Sequence, residues 1–199
     1  MSRTVPGRAD VADATRRYLM YGVMPFWFAP GIADYLLHRR TRIQDTSGTR
    51  ESVIHAAMMT EVGIPVLMGL FFEINPLVLA VMAGAALVHE GTAIWDVRTA
   101  VDGGREVRPA EQHVHSFLES LPFGAVAAIG CLHWPQVRRL AAGADRRAAW
   151  SLRAKRPALS RRYRAGVLGA VAGLIALPYA EELLRCARAE ARRGPTTTG

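Results

Sequence analysis

The sequence predicts an all-α fold, a polytopic transmembrane helix bundle of about five spans, four of them forming a metal-binding core. Three observations carry that expectation. Half of the residues are hydrophobic although 21% are charged, so the apolar residues must be gathered into blocks. Five blocks approach the roughly 20 residues that a helix needs to cross a hydrocarbon core. Four of the five also hold histidine and carboxylate at helical spacing.

Taken in order, residues 1–16 form a polar N-terminal segment. The first span, 18–38, is too long for a cleaved signal peptide and ends in His38-Arg39-Arg40 with no small-residue cleavage pattern. Pro25, Pro30 and Gly31 interrupt it, which a bilayer tolerates only where neighbours satisfy the freed carbonyls, so a kink facing the bundle is expected. Spans two (52–72) and three (76–97) are separated only by residues 73–75 and should form a tight antiparallel hairpin. The connections 39–50 and 98–112 then meet on the opposite side, with turn sequences Thr46-Ser47-Gly48 and Asp102-Gly103-Gly104. Span four, 114–134, completes a four-helix core over residues 17–134. Residues 135–165 carry ten basic side chains, and Trp150 and Leu152 among them suggest an amphipathic stretch on the headgroups. A fifth helix over 166–191, with its apolar span at 166–184, and a disordered tail at 192–199 complete the single domain.

The charge balance limits the partners. There are 25 basic and 17 acidic residues, a net charge of +8, and Lys155 is the sole lysine. Arginines that flank spans suit cytoplasmic loops and lipid headgroups. No helix-turn-helix, zinc-finger or RRM pattern accompanies them, which argues against nucleic acid. Cys131 and Cys186 lie far apart without C-x-x-C spacing, so neither a disulfide framework nor a thiolate metal site is expected.

The chemistry is carried by ionisable residues inside the spans, each costing at least about 2.5 kcal/mol at membrane depth unless paired or liganded. Asp34 and His38, Glu51 and His55, Glu111 and His115, and His115 and Glu119 are i,i+4 pairs, and His89 and Asp96 are seven apart. Each pair therefore shares a helix face. The pairs fall at the end of span one, the start of two, the end of three and the start of four, which antiparallel topology puts at one membrane face. Glu61, Glu90 and His113 point about 100° or more off these stripes and rank lower. His133 belongs to the far face.

Helices donating imidazoles and carboxylates into a bundle core is the arrangement of di-iron and di-manganese centres. The cysteine-free nitrogen and oxygen set suits two metal ions, iron first and manganese second, and zinc would need fewer ligands. Iron would allow oxygen activation, for hydroxylation or desaturation of a lipid-like substrate such as an acyl chain, with an external electron donor. The alternative is a non-enzymatic membrane protein, either a metal or proton carrier or a bundle stabilised by buried polar contacts. A carrier should show internal repeats and broken helices that meet near the midplane. No repeat is evident, and only the first helix carries evident breakers.

Residues 33–43 (Ala33-Asp-Tyr-Leu-Leu-His-Arg-Arg-Thr-Arg-Ile), Glu51-Ser-Val-Ile-His55, His89-Glu-Gly-Thr-Ala-Ile-Trp-Asp96 and the run from Glu111 to Glu119 resemble segments of a family of small bacterial integral-membrane proteins with His/Asp/Glu-rich helices. The resemblance covers about residues 25–122 and implies a multi-pass protein of the bacterial inner membrane. In site chemistry the chain also loosely resembles membrane non-haem di-iron oxygenases and desaturases. It departs from them in lacking H-x-x-x-H and H-x-x-H-H boxes, and from ferritin-like proteins in spacing Glu51 to His55 and Glu111 to His115 one residue wider than E-x-x-H. The resemblance thus implies metal binding more than any one reaction.

Overall fold

The computed structural model of the protein describes residues 8–104, 107–143 and 149–193, and among them the fold is all-helical, with no strand. Helix α1 (Arg8–Tyr18) runs through a π-turn (Leu19–Val23) into α2 (Met24–Thr41). Then come α3 (Gly48–Phe71), α4 (Pro76–Asp102), α5 (Pro109–Leu132) and the short α6 (Trp134–Ala141). The chain ends with α7 (Arg161–Ala170), a second π-turn (Val171–Ala176) and α8 (Leu177–Arg193).

Local chemistry sets the helix ends. Arg42 turns left-handed at φ 57° after α2 and returns its N–H to the His38 carbonyl, a helix-stopping geometry made here by a residue that carries a Cβ. Asp45 holds its guanidinium at 2.6 Å. The Asn75 side chain accepts from the Val78 N–H at 3.0 Å, and Pro76 follows at the one helical position where a missing N–H costs nothing. The α3–α4 hairpin is therefore as tight as the sequence implies. A Cβ added to Gly103 would lie 3.2 Å from the Ser47 Cα, which confirms that the two turn-rich connections meet.

Among the described residues four helical runs are long and apolar enough to cross a membrane: Gly48–Phe71, Pro76–Asp102, Pro109–Leu132 and Arg161–Arg193, with mean hydropathy between 1.3 and 1.7. The first expected span is helical throughout but falls outside this set, because Asp34, Arg39 and Arg40 lie within α2 and make it too polar. Charged side chains are buried inside the bundle while large apolar ones face outward. Asp34, His38, Glu51, His55, His89, Asp96, Glu111 and Glu182 are each at most 3% exposed, whereas Leu87 and Leu177 are 68% exposed. Water would reward the opposite arrangement, so the apolar exterior belongs against lipid.

The basic stretch packs onto the bundle. Only α6 is helical in its first part, and residues 144–148 lie outside the described set. Trp150 and Leu152 sit on extended chain that docks over the α3–α4 turn, through Asn75 Nδ2 to the Ser151 carbonyl (2.8 Å), the Glu73 N–H to the Arg153 carbonyl (2.9 Å) and the Lys155 N–H to the Phe71 carbonyl (2.8 Å). The unpaired backbone of the hairpin turn captures the segment. Helix α8 continues through Arg193, past the expected start of the tail, whose remainder, 194–199, lies outside the described residues.

Among the described residues two helices are broken by π-turns, not one. Each π-turn ends directly before an X-Pro pair, Met24-Pro25 and Leu177-Pro178. The Met24 N–H reaches back to Leu19 and the Leu177 N–H to Ala172. The Met20 carbonyl is then left without a donor in its own helix, since Met24 is committed and Pro25 has no N–H. The Tyr163 hydroxyl donates to it at 3.0 Å. The breaks also bring α2 against the second π-turn, where a Cβ on Gly31 would sit 2.7 Å from Ile175 Cδ1.

Gly31→Leu should therefore overpack this contact and lower stability by about 1–3 kcal/mol. Gly63→Ala, with open space at the Cβ position, should be neutral or gain up to about 1 kcal/mol. Thermal unfolding of the two variants in detergent measures both.

Candidate metal centre

The site is built from the inner faces of α2, α3, α4, α5 and α8. His38 from α2 and His55 from α3 stack face to face, ring centroids 4.4 Å apart and planes within 8°. Glu182 of α8 joins them: Oε2 lies 3.0 Å from His38 Nδ1 and Oε1 lies 2.8 Å from His55 Nδ1. A carboxylate only accepts, so hydrogen-bond chemistry assigns the proton of each ring to Nδ1 and turns Nε2 inward.

Those inward nitrogens face oxygen atoms. His38 Nε2 is 3.3 Å from Asp34 Oδ1 and 3.6 Å from Glu111 Oε1. His55 Nε2 is 3.1 Å from Asp96 Oδ1 and 3.8 Å from Glu51 Oε1. His115 Nε2, from α5, lies 2.9 Å from Asp34 Oδ1. Neither His55 Nε2 nor Asp96 Oδ1 completes a hydrogen bond despite being 3.1 Å apart, and His38 Nε2 completes none either. Close approach without hydrogen-bond alignment is how two ligands of a third atom are disposed, because a metal at about 2.0–2.2 Å from each holds them a few ångströms apart. Two triads keep their ligand atoms within 4.8 Å of one another, Asp34 with His38 and His115, and His38 with Glu51 and His55. They share His38.

A small void of about 10 Å³ adjoins the cluster, lined by Asp34, His55, Asp96, His115, Glu119 and Tyr179 among others. It has room for about one water-sized group. The Tyr179 hydroxyl lies 2.9 Å from Asp34 Oδ2 and 3.1 Å from the Gly31 carbonyl, so α8 orients Asp34 as well as the two imidazoles.

Of the sequence-derived residues, Asp34, His38, Glu51, His55, Asp96, Glu111 and His115 are thus brought together, and Glu119 lines the adjoining void. His89 is not among them. Its Nδ1 lies 3.4 Å from Glu61 Oε2, and Thr92 donates to Glu61 Oε1 at 2.8 Å, so His89 and the lower-ranked, half-buried Glu61 form a separate pair deeper in the bundle. Seven residues of helix set His89 about 10 Å along the axis from Asp96. Glu90 is half-buried and makes no ion pair with the cluster among the described residues. His113 is exposed and packs edge-on against Phe117 at 5.1 Å. His133 lies beyond the end of α5, near Arg16 and Lys155. Arg98 and Arg50, the partners that could have neutralised Asp96 and Glu51 at the surface, are exposed.

Sequence reasoning missed Glu182 and Tyr179. A signal was present: Tyr179, Glu182 and Cys186 follow an i, i+3, i+7 spacing and are 4%, 0% and 1% exposed. The neighbouring Glu181 masked it, since two successive glutamates at the end of a span resemble an interfacial cluster.

No protein-family model, no curated protein and no solved structure matches this chain.

Glu182→Ala should strand two buried imidazole donors and cost about 3–5 kcal/mol. Glu181→Ala should cost about 1 kcal/mol, because the Glu181 side chain is 42% exposed, its ion-pair partners Arg39 and Arg185 lie at 3.7 and 3.3 Å near the surface, and the Tyr35 hydroxyl that donates to it at 2.9 Å is only part-buried. Unfolding midpoints of the two adjacent variants should separate accordingly.

Proposed function

We propose that this protein is a di-metal oxidoreductase of the bacterial inner membrane that acts on a lipid-like substrate. The observation that carries the reading is the pair of stacked imidazoles clamped through Nδ1 by one carboxylate, with His38 Nε2 turned on oxygens of Asp34 in its own helix and Glu111 of α5, and His55 Nε2 on Asp96 of α4. Carboxylates that fix the outer nitrogen of a histidine are the usual support of metal-bound imidazole. His38, His55 and His115 would supply nitrogens, and Asp34, Glu51, Asp96 and Glu111 would supply terminal or bridging oxygens. Seven donors exceed the needs of one tetrahedral ion and suit two hard, octahedral-type ions, iron first and manganese second.

Iron in such a site supplies oxygen activation. In a hydroxylation, a C–H bond of the substrate becomes C–O–H with one atom of dioxygen, and the other atom leaves as water. Two electrons and two protons come from an external donor. The contribution of the chain is to hold the ligands, exclude bulk water by the apolar packing around Trp27, Phe28 and Leu118, and set Tyr179 as a hydroxyl on Asp34.

A second reading, a metal or proton carrier, is favoured by one observation. The two broken helices meet at Gly31 and Ile175, and paired discontinuities are a transporter feature. Retained metal without oxygen chemistry would support it.

Protein purified in detergent should carry about two iron or manganese ions per chain by elemental analysis, and metal-free protein of undiminished stability would overturn the metal reading. His55→Ala and His115→Ala should each weaken metal retention tenfold or more, whereas His133→Ala should not. Equal loss from all three would contradict a single centre. The reduced iron form, exposed to oxygen, should develop di-iron absorption bands, and their absence with metal retained would leave the carrier.

A further inference from the structure

Away from the metal cluster, toward the α3–α4 turn, a partly open cavity of about 250 Å³ runs between α1–α2, α3, α4 and α5. Its walls are aliphatic, with Met24, Val62, Val126 and Ile129, and it is kept open by Gly69 and Ala85, where longer side chains would fill it. The two ends differ. Arg16, Lys155 and His133 stand at the outer end, and Glu61 and His89 at the inner one. Along α3, Glu61 and Leu70 set the length at about 13 Å.

The outer end is constructed. The Lys155 N–H to Phe71 carbonyl bond and the Glu73 N–H to Arg153 carbonyl bond fix the backbone of this extended segment against the hairpin turn. Neither Lys155 nor Arg16 forms an ion pair with a carboxylate among the described residues. Burial first, and the Arg16 cation second, hold the Lys155 ammonium below its ordinary value, while Glu73 acts in the opposite sense. An anion at this mouth would relieve both effects. At the inner end, His89 is 1% exposed and lines the cavity, with its Nδ1 3.4 Å from Glu61 Oε2.

We propose that this slot binds a single-chain amphiphile with an anionic headgroup, carboxylate or phosphate, its head at Arg16 and Lys155 and its alkyl chain running inward to Glu61 and His89. The volume lies below the roughly 300–1,000 Å³ of drug-sized sites and admits one chain, not the two of a phospholipid. A small free anion would leave the apolar walls unfilled, and a cationic head would meet two like charges. As a binding site the slot stands alone; as the substrate site it rests on the metal reading. The spacing of His89 and Asp96 on α4 then directs the far end of the chain, not its head, toward the cluster.

Equilibrium binding of radiolabelled dodecanoate to the purified full chain in non-ionic detergent, corrected for protein-free micelles, tests the proposal. Saturable binding is expected, with dodecyl phosphate competing and dodecanol and dodecylamine at least tenfold weaker. Dodecyl phosphate competing better than unlabelled dodecanoate would assign the head as phosphate, and the reverse as carboxylate; both outcomes support the site. Lys155→Glu should weaken dodecanoate at least tenfold, as should Ala125→Phe, which puts a ring into the slot from the α5 wall that Ala125 lines, each with unchanged metal content as the check on folding. Dodecanol binding as tightly as dodecanoate, an unaffected Lys155→Glu, or no saturable binding would overturn the proposal. His55→Ala separates the two readings. Dodecanoate binding by metal-free protein of every form would remove the metal centre and keep the slot, whereas metal without dodecanoate binding would remove the slot alone.

Discussion

Glu182 accepts from His38 with one oxygen and from His55 with the other, at 3.0 and 2.8 Å, and so ties α2, α3 and α8 together at one point. The remainder of the polar interior depends on that bond pair. It fixes which nitrogen of each ring carries hydrogen, and therefore which nitrogen is turned on Asp34, Glu111, Asp96 and Glu51. Without Glu182 either ring could rotate to satisfy itself on its nearest carboxylate, and the geometry that suits a cation would be lost. A buried carboxylate is costly by itself. Here it is fully buried and doubly hydrogen-bonded, which is the condition under which such a group is tolerated.

The packing around this clamp follows from the surrounding solvent. Between apolar helices in lipid the hydrophobic effect gives little association, so close contact and polar links must hold the bundle. Gly31 permits α2 to meet the second π-turn, and the Tyr179 hydroxyl spans the same junction to Asp34 and the Gly31 carbonyl. The π-turns are part of this arrangement. Each relocates the donor that the following proline lacks, and the carbonyl freed at Met20 is used to bind α7 through Tyr163.

The result is a bundle graded along its axis. Imidazoles and carboxylates occupy the end where residues 42–47 and 103–104 meet, an isolated Glu61–His89 pair lies deeper, and an aliphatic slot opens beyond it toward Arg16 and Lys155. Polarity of this kind within one helical shell is hard to explain by stability alone, since apolar side chains of similar volume would pack the interior at less cost in desolvation. It is consistent with a reactive centre approached from an apolar side.

The sequence by itself determined the long apolar helices (though not α1 or α6), their order, the α3–α4 hairpin and the azimuth of each polar stripe, because those depend on hydrophobic blocks, turn residues and a 3.6-residue period that act over a few neighbours. On that basis seven of the nine leading site residues meet in one cluster. What it could not determine was anything set by the depth or rotation of one helix against another. His89 and Asp96 share an azimuth, yet their axial separation allows only Asp96 to reach His55. Glu182 has the local character of an interfacial charge and becomes central only because α8 is broken before Pro178 and turned so that its Tyr179–Glu182–Cys186 face is inward. Those placements arise from contacts between residues more than a hundred positions apart, such as His38 with Glu182, and only the tertiary structure could decide them.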